Sequence, residues 1–286
     1  MDFDKLNPYC VTLYFTSAIF FTMIFMHPAF IAVNVISSSL ACLCICKDSF
    51  LKSLKYKAAM FALITFVNPF FTSDGETVLF SVFAHPYTAQ ALLYGAVLGG
   101  IFFCSVNWFS CFGNIIGTDK FMYMTFSKLP TLCTVLSTVI GLIPFFEKKL
   151  AEISDIQTPL FKGRKKLYSI LNSFNTAVSF SFEHAVLLSF SMKNRGYGSV
   201  KPTRYRTYRF SVYDFCLVLF SVTSSLAVIL FGFSSGTRVE ILPSVKLIPF
   251  GARETAGLIS YTALLLIPFI YHISEEIRWN YLMSKI

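Results

Sequence analysis

The residues of this chain with chemistry to offer fall into three groups. Cys42, Cys44 and Cys46 form a Cys-x-Cys-x-Cys string, a set of thiols that could suit a soft metal ion. On a helix, residues two apart point in nearly opposite directions, so the three do not converge on one ion without unwinding. They are expected to pack as small hydrophobes, and no metal site is expected. The four histidines, His27, His85, His184 and His272, with scattered Asp, are the material a membrane-embedded enzyme would need. They lie far apart, and no His-x-x-x-His, Gly-x-Ser-x-Gly or Gly-x-x-x-x-Gly-Lys string accompanies them. His27 and His85 each precede a proline and mark turns. The third group is cationic: Lys193-Asn194-Arg195-Gly196 ends a helical pattern, and Lys201, Arg204, Arg206 and Arg209 follow. Arg195 suits a helix C-terminus as a capping cation, with Gly196 relieving the left-handed turn. The four later cations suit anionic lipid headgroups, at about 1 kcal/mol per basic residue.

What positions these residues is a membrane. Hydrophobic residues make up 55% of the 286 and charged ones only 14%, and Phe alone appears 33 times. A soluble domain carries about 25% charged residues to cover its surface. Residues 6–46, 77–118, 215–237 and 255–274 contain no Asp, Glu, Lys or Arg. One bilayer crossing needs ~20 mostly apolar residues. The expected fold class is an all-α polytopic membrane protein. Soluble enzymes, nucleic-acid-binding domains, disulfide scaffolds and disordered regulators are excluded. Most of the eight Cys sit in apolar runs, and Met1-Asp2-Phe3-Asp4 does not have the basic start of a secretory signal.

The run 6–46 is twice one crossing, with His27-Pro28 at its centre, so two helices near 10–26 and 29–46 are expected around a turn. Further crossings are expected at 58–71, ended by Asn68-Pro69, then at 88–112, 213–233 and 255–273. The uncharged stretch 129–146 is decided by charge. Residues 147–210 hold 12 Lys or Arg against 4 Asp or Glu, a balance of +8 that is nearly all of the chain's +9. The positive-inside rule makes that segment cytoplasmic, with the Lys-rich 47–57. Both face one side only if 129–146 does not cross, lying at the membrane surface or obliquely buried. Six crossings and cytoplasmic termini follow. The expected organisation is an N-terminal membrane region (1–128) with four crossings, interfacial and cytoplasmic helices (129–210), and a C-terminal membrane region (211–286).

Within the middle region a first helix is expected over 145–158, with Pro159 and Gly163 breaking the chain. In a second, from Arg164 to Gly198, Leu167, Leu171, Phe174, Val178, Ala185, Leu188 and Met192 recur three, four or seven apart along one face.

The end of that helix carries a resemblance. The string Ser181-Phe182-Glu183-His184 through Lys193-Asn194-Arg195-Gly196-Tyr197-Gly198, with Thr203-Arg204 beyond, resembles the second coupling motif of the T component of energy-coupling factor transporters, the EcfT/CbiQ family. Leu6-Asn7-Pro8 sits where that family has Leu-Asp-Pro. Asn68-Pro69-Phe70-Phe71 with Gly75, Thr118-Asp119-Lys120-Phe121 and Ile143-Pro144-Phe145-Phe146 follow in the family's order, so the likeness runs from residue 6 to about 214. It implies a non-catalytic scaffold of an importer related to ABC transporters. Two cytoplasmic ATPase subunits or domains would dock under the coupling helices, and a separate small membrane subunit would capture the cargo, a vitamin or transition-metal ion. No cofactor and no nucleic acid would be involved. The family's coupling arginine maps onto Arg195, flanked by Asn194 and Gly196. The earlier coupling triplet, Ala-Arg-Gly in the family, falls on Pro159-Leu160-Phe161 and lacks its arginine. Lys162 or Arg164 would then replace it, or that half would dock by apolar contact. A stand-alone carrier would instead need ionisable residues within the spans, where this sequence has essentially none.

Overall fold

A computed structural model describes residues 6–45, 47–72, 77–82, 85–160, 166–199, 207–208, 210–232 and 251–284. The chain divides into two compact units. One takes in Met1–Gly117 and Tyr208–Ile286, the other Thr118–Thr207.

In the first unit, helix starts are set by local chemistry. α1 (Pro8–Ile24) opens on Pro8, with the Asn7 side chain accepting the Tyr9 N–H as N-cap. α2 (Pro28–Ile45) also opens on proline, and His27 Nδ1 accepts the Ala29 N–H at 3.1 Å. The expected turn at His27-Pro28 is therefore present. α3 runs unbroken over Lys47–Phe71. A hairpin of β1 (Val78–Val82) and β2 (His85–Thr88) follows, which the hydrophobic pattern did not foretell. Thr88 then caps α4 (Ala89–Ile115) by accepting the Ala91 N–H. α8 (Val212–Gly232) and α9 (Ala252–Met283) complete the unit.

The packing inverts the pattern of a soluble bundle. α8 buries Asp214, Leu217, Ser221, Ser224, Val228 and Gly232, while Phe215, Leu219, Val222, Leu226 and Leu230 face outward. Small and polar residues mate helix to helix, and large apolar ones meet hydrocarbon. α3 and α4 come so close at Gly95 that a Cβ there would stand 2.7 Å from the Thr65 carbonyl oxygen. At the centre the buried aromatics Tyr14, Phe15 and Trp108 meet edge to face. Asn34, on α2, ties four helices together. Its amide donates to Thr22 Oγ1 (2.8 Å) and Tyr261 Oη (2.9 Å), and its carbonyl accepts Trp108 Nε1–H (2.9 Å).

The second unit holds α5 (Thr118–Lys128), α6 (Pro130–Leu160) and α7 (Lys166–Asn194). The expected surface helix at 129–146 and the cytoplasmic helix at 145–158 are one helix. The boundary drawn between them rested on the onset of charge at Glu147, which changes the polarity of a helix face and leaves the backbone free to continue. Pro159, expected to break the chain, lies in the last turn of α6.

Among the described residues five helices are long and apolar enough to cross a bilayer: α2, α4, Pro130–Ile156 of α6, α8 and Ala252–Ser274 of α9. α1 is apolar but shorter. The chain is an all-α polytopic membrane protein. By length and composition α6 qualifies as a span, and α3 does not, because Lys47, Lys52, Lys55 and Lys57 occupy its first turns.

Candidate functional site

The cationic string at the end of α7 has a defined geometry. Tyr197 N–H donates to the Met192 carbonyl and Gly196 N–H to the Lys193 carbonyl, both at 3.0 Å. These paired bonds form a Schellman motif, which satisfies two carbonyls that a helix end leaves orphaned. The motif needs a left-handed residue after the cap, and Gly196 supplies it at φ 77°. Arg195 is thereby fixed at the C-cap itself, where its own N–H donates to Ser191 O at 3.1 Å. Asn194, Arg195 and Gly196 are all exposed. No described carboxylate pairs with the Arg195 guanidinium. An exposed guanidinium on a rigid stop offers a planar fork of donors to a carboxylate brought from outside the chain.

α6 supports that end. Tyr197 Oη donates to Thr134 Oγ1 at 2.8 Å, linking the turn beyond α7 to the first turn of α6. Farther along the pair, the His184 ring stacks on Phe145 with centroids 4.5 Å apart, and it also faces Phe146 and Phe180. Lys149 Nζ lies 5.4 Å from the Phe180 centroid and bridges Glu152 at 2.7 Å. Of the apolar stripe read along α7, Ala185, Leu188 and Met192 turn toward α6 and line a groove, whereas Leu171 and Phe174 are exposed. His184, read only as one of four scattered histidines, shares the α6 face with that stripe because it lies four residues before Leu188.

The first coupling triplet falls at the opposite end of α6. Pro159 and Leu160 are its last two helical residues, and Phe161 lies outside the described residues, as do Lys162 and Arg164. Cys42 is buried and Cys44 half-buried in α2, and Cys46 lies outside the described residues. Among the described residues no three His, Cys, Asp or Glu groups gather as metal ligands. The histidines belong to different elements: His27 precedes α2, His85 begins β2, His184 lies in α7 and His272 in α9.

No protein-family model matches this chain. Comparison with curated protein sequences gives no match either.

Two buried polar groups escaped the reading of the sequence. Asp214, 1% exposed, accepts Asn7 N–H and Ser211 N–H, both at 2.8 Å. It completes half of a capping box at the start of α8 while holding the start of α1. Lys57, 7% exposed, donates to Asn107 Oδ1 at 2.9 Å and lies 3.9 Å from Cys42 Sγ, and Asn107 in turn donates to Ser38 Oγ at 3.4 Å. The only sequence signals were an Asp three residues after a Ser at a helix start and a Lys at the margin of an apolar run.

Proposed function

We propose that this chain is the transmembrane scaffold subunit of an energy-coupling factor importer in the cell membrane, with both termini cytoplasmic. It docks two ATP-binding-cassette ATPase subunits or domains and a small membrane subunit that captures a micronutrient, a vitamin or transition-metal ion. It hydrolyses nothing itself, and it passes the ATPases' closure to the capture subunit. The observation that carries this reading is the exposed Arg195 on the Schellman-closed end of α7, within the string that resembles the family's second coupling motif. A charge-assisted bond from that guanidinium to an acidic docking groove is worth about 1.5–3 kcal/mol. Pro159-Leu160-Phe161 lacks the first coupling arginine, so that half docks through Lys162 or Arg164 in its place or by apolar contact alone.

The test is an affinity pull-down of the solubilised chain from its native membranes, followed by uptake assays. Two ATPase chains and a small, very hydrophobic partner are expected. Arg195→Glu should abolish ATPase-coupled uptake while the protein stays in the membrane, and Leu160→Glu should matter less. Recovery of the chain alone in the presence of nucleotide would sink the scaffold reading and favour a stand-alone carrier or a membrane-embedded enzyme.

A further inference from the structure

The face that α6 and α7 turn toward each other is not closed. A groove of about 610 Å³ runs between them, from Val135 to Phe146 on α6 and from Ser181 to Lys193 on α7. At 1.5 Å per residue those segments are about 17–18 Å long. That is close to the length of one acyl chain, about half of a hydrocarbon core of ~30 Å.

The ends of the groove differ. Its lining is mainly apolar, with Val135, Val139, Leu142 and Leu188, and the His184 and Phe146 rings meet at its far end. At the near end Lys193 stands exposed beside Tyr197, whose hydroxyl is committed to Thr134. Lys193 is the one charged residue among those that line the groove, and no carboxylate is there to neutralise it. α6 itself is apolar enough to cross a bilayer and leaves Leu132 and Ile143 exposed outside the groove, so hydrocarbon is a medium its surface is made for. An apolar channel of acyl-chain length with a lone cation at its mouth has the shape and polarity of a lipid with a net negative headgroup. We infer that this groove holds an anionic phospholipid, its phosphate at Lys193 and one acyl chain along the floor toward His184. A zwitterionic lipid would fill the floor equally but bring its own cation to Lys193. This inference stands apart from the importer reading, since it requires no partner protein.

The full chain in nanodiscs of phosphatidylglycerol and phosphatidylcholine, mixed at about 1:3, tests this by native mass spectrometry on release into mild detergent. The chain should retain phosphatidylglycerol preferentially. Lys193→Gln, at an exposed position, should lower that retention about fivefold, the effect of one basic residue at a lipid headgroup. Lys149→Gln, outside the groove, should leave it unchanged. Equal retention of the two lipids, or no loss in Lys193→Gln, overturns the inference. Ala185→Trp, which fills the floor, should expel both lipids. Should that variant fail to fold, a benzophenone side chain in place of Leu188, photolysed in native membranes, decides the occupant independently. An adduct of anionic-phospholipid mass upholds the site, and an adduct to a zwitterionic lipid or to a protein overturns it.

Discussion

The carboxyl group of Asp214 lies 2.8 Å from the backbone nitrogen of Asn7, although 207 residues separate the two in the chain. Asn7 caps α1 with its side chain, and Asp214 reaches back to Ser211 at the start of α8. One buried group thus satisfies donors at two helix starts and holds α1 against α8. The side chain at position 7, where the resembling family has Asp, is turned to its own helix, so the contact to Asp214 runs through the main chain.

Removing that carboxyl group leaves the buried Asn7 N–H without an acceptor and frees the N–H of exposed Ser211. A buried orphan costs ~1–3 kcal/mol, so Asp214→Ala should lower the stability of the solubilised protein by about that amount. Asp214→Asn keeps one acceptor and should cost less than Ala. Scanning fluorimetry in one detergent gives both shifts. Equal midpoints for wild type and Asp214→Ala would show that the clamp carries no stability.

The Schellman turn predicts a separation between stability and function. Gly196 sits at φ 77°, where a Cβ costs about 1–2 kcal/mol. Gly196→Ala should lower the midpoint only slightly, because an exposed helix end frays and sheds the strain locally, yet speed amide exchange at Gly196 and Tyr197. On the scaffold proposal, uptake should fall severalfold although Arg195 is still present, since its backbone stop has loosened. Tyr197→Phe, which deletes the 2.8 Å bond to Thr134, should act in the same direction and more weakly. Unaltered exchange in Gly196→Ala would mean that the turn does not restrain Arg195.

What the sequence disclosed follows from the range of the forces involved. The turn at His27-Pro28 and the stop at Gly196 are governed by residues within a few positions, and both stand where the pattern put them. Apolar runs announced the helices of the membrane unit, because length and hydropathy are summed locally. The join within α6 was hidden because Glu147 marks a change of environment without ending a backbone. The contact of Asp214 with Asn7, and the stack of His184 on Phe145, pair residues whose spacing in the chain carries no trace of their meeting. The helical state of the Lys-rich stretch 47–57 is hidden too, since such a stretch looks alike whether it coils or forms the first turns of α3.

That lysine supplies a double-mutant test. Lys57 Nζ donates to Asn107 Oδ1 inside the α2–α3–α4 packing. Asn107→Leu takes one acceptor from a buried amine and should destabilise by about 1.5–3 kcal/mol, the range for a hydrogen bond to a charged group. Adding Lys57→Met removes the donor as well, so the double variant should be more stable than Asn107→Leu alone. A coupling energy above about 0.5 kcal/mol from the four midpoints is the expected sign of contact, and strict additivity would argue against it.

His27 makes stability depend on pH. The ring is 3% exposed, and burial holds its pKa below the ordinary histidine range. Its Nδ1 must stay unprotonated to accept the Ala29 N–H at the start of α2. Because the folded pKa is the lower one, the contribution of this residue is complete above the unfolded value of about 6.5. It is lost as pH falls through the folded value, and no further loss comes from it below that. The thermal midpoint should therefore drop between pH 7.5 and pH 5.5. His27→Asn offers a side-chain acceptor for the same N–H without titrating in that range, so its midpoint should be nearly level across the interval. A drop as steep in His27→Asn as in the wild type would assign the pH response to other groups.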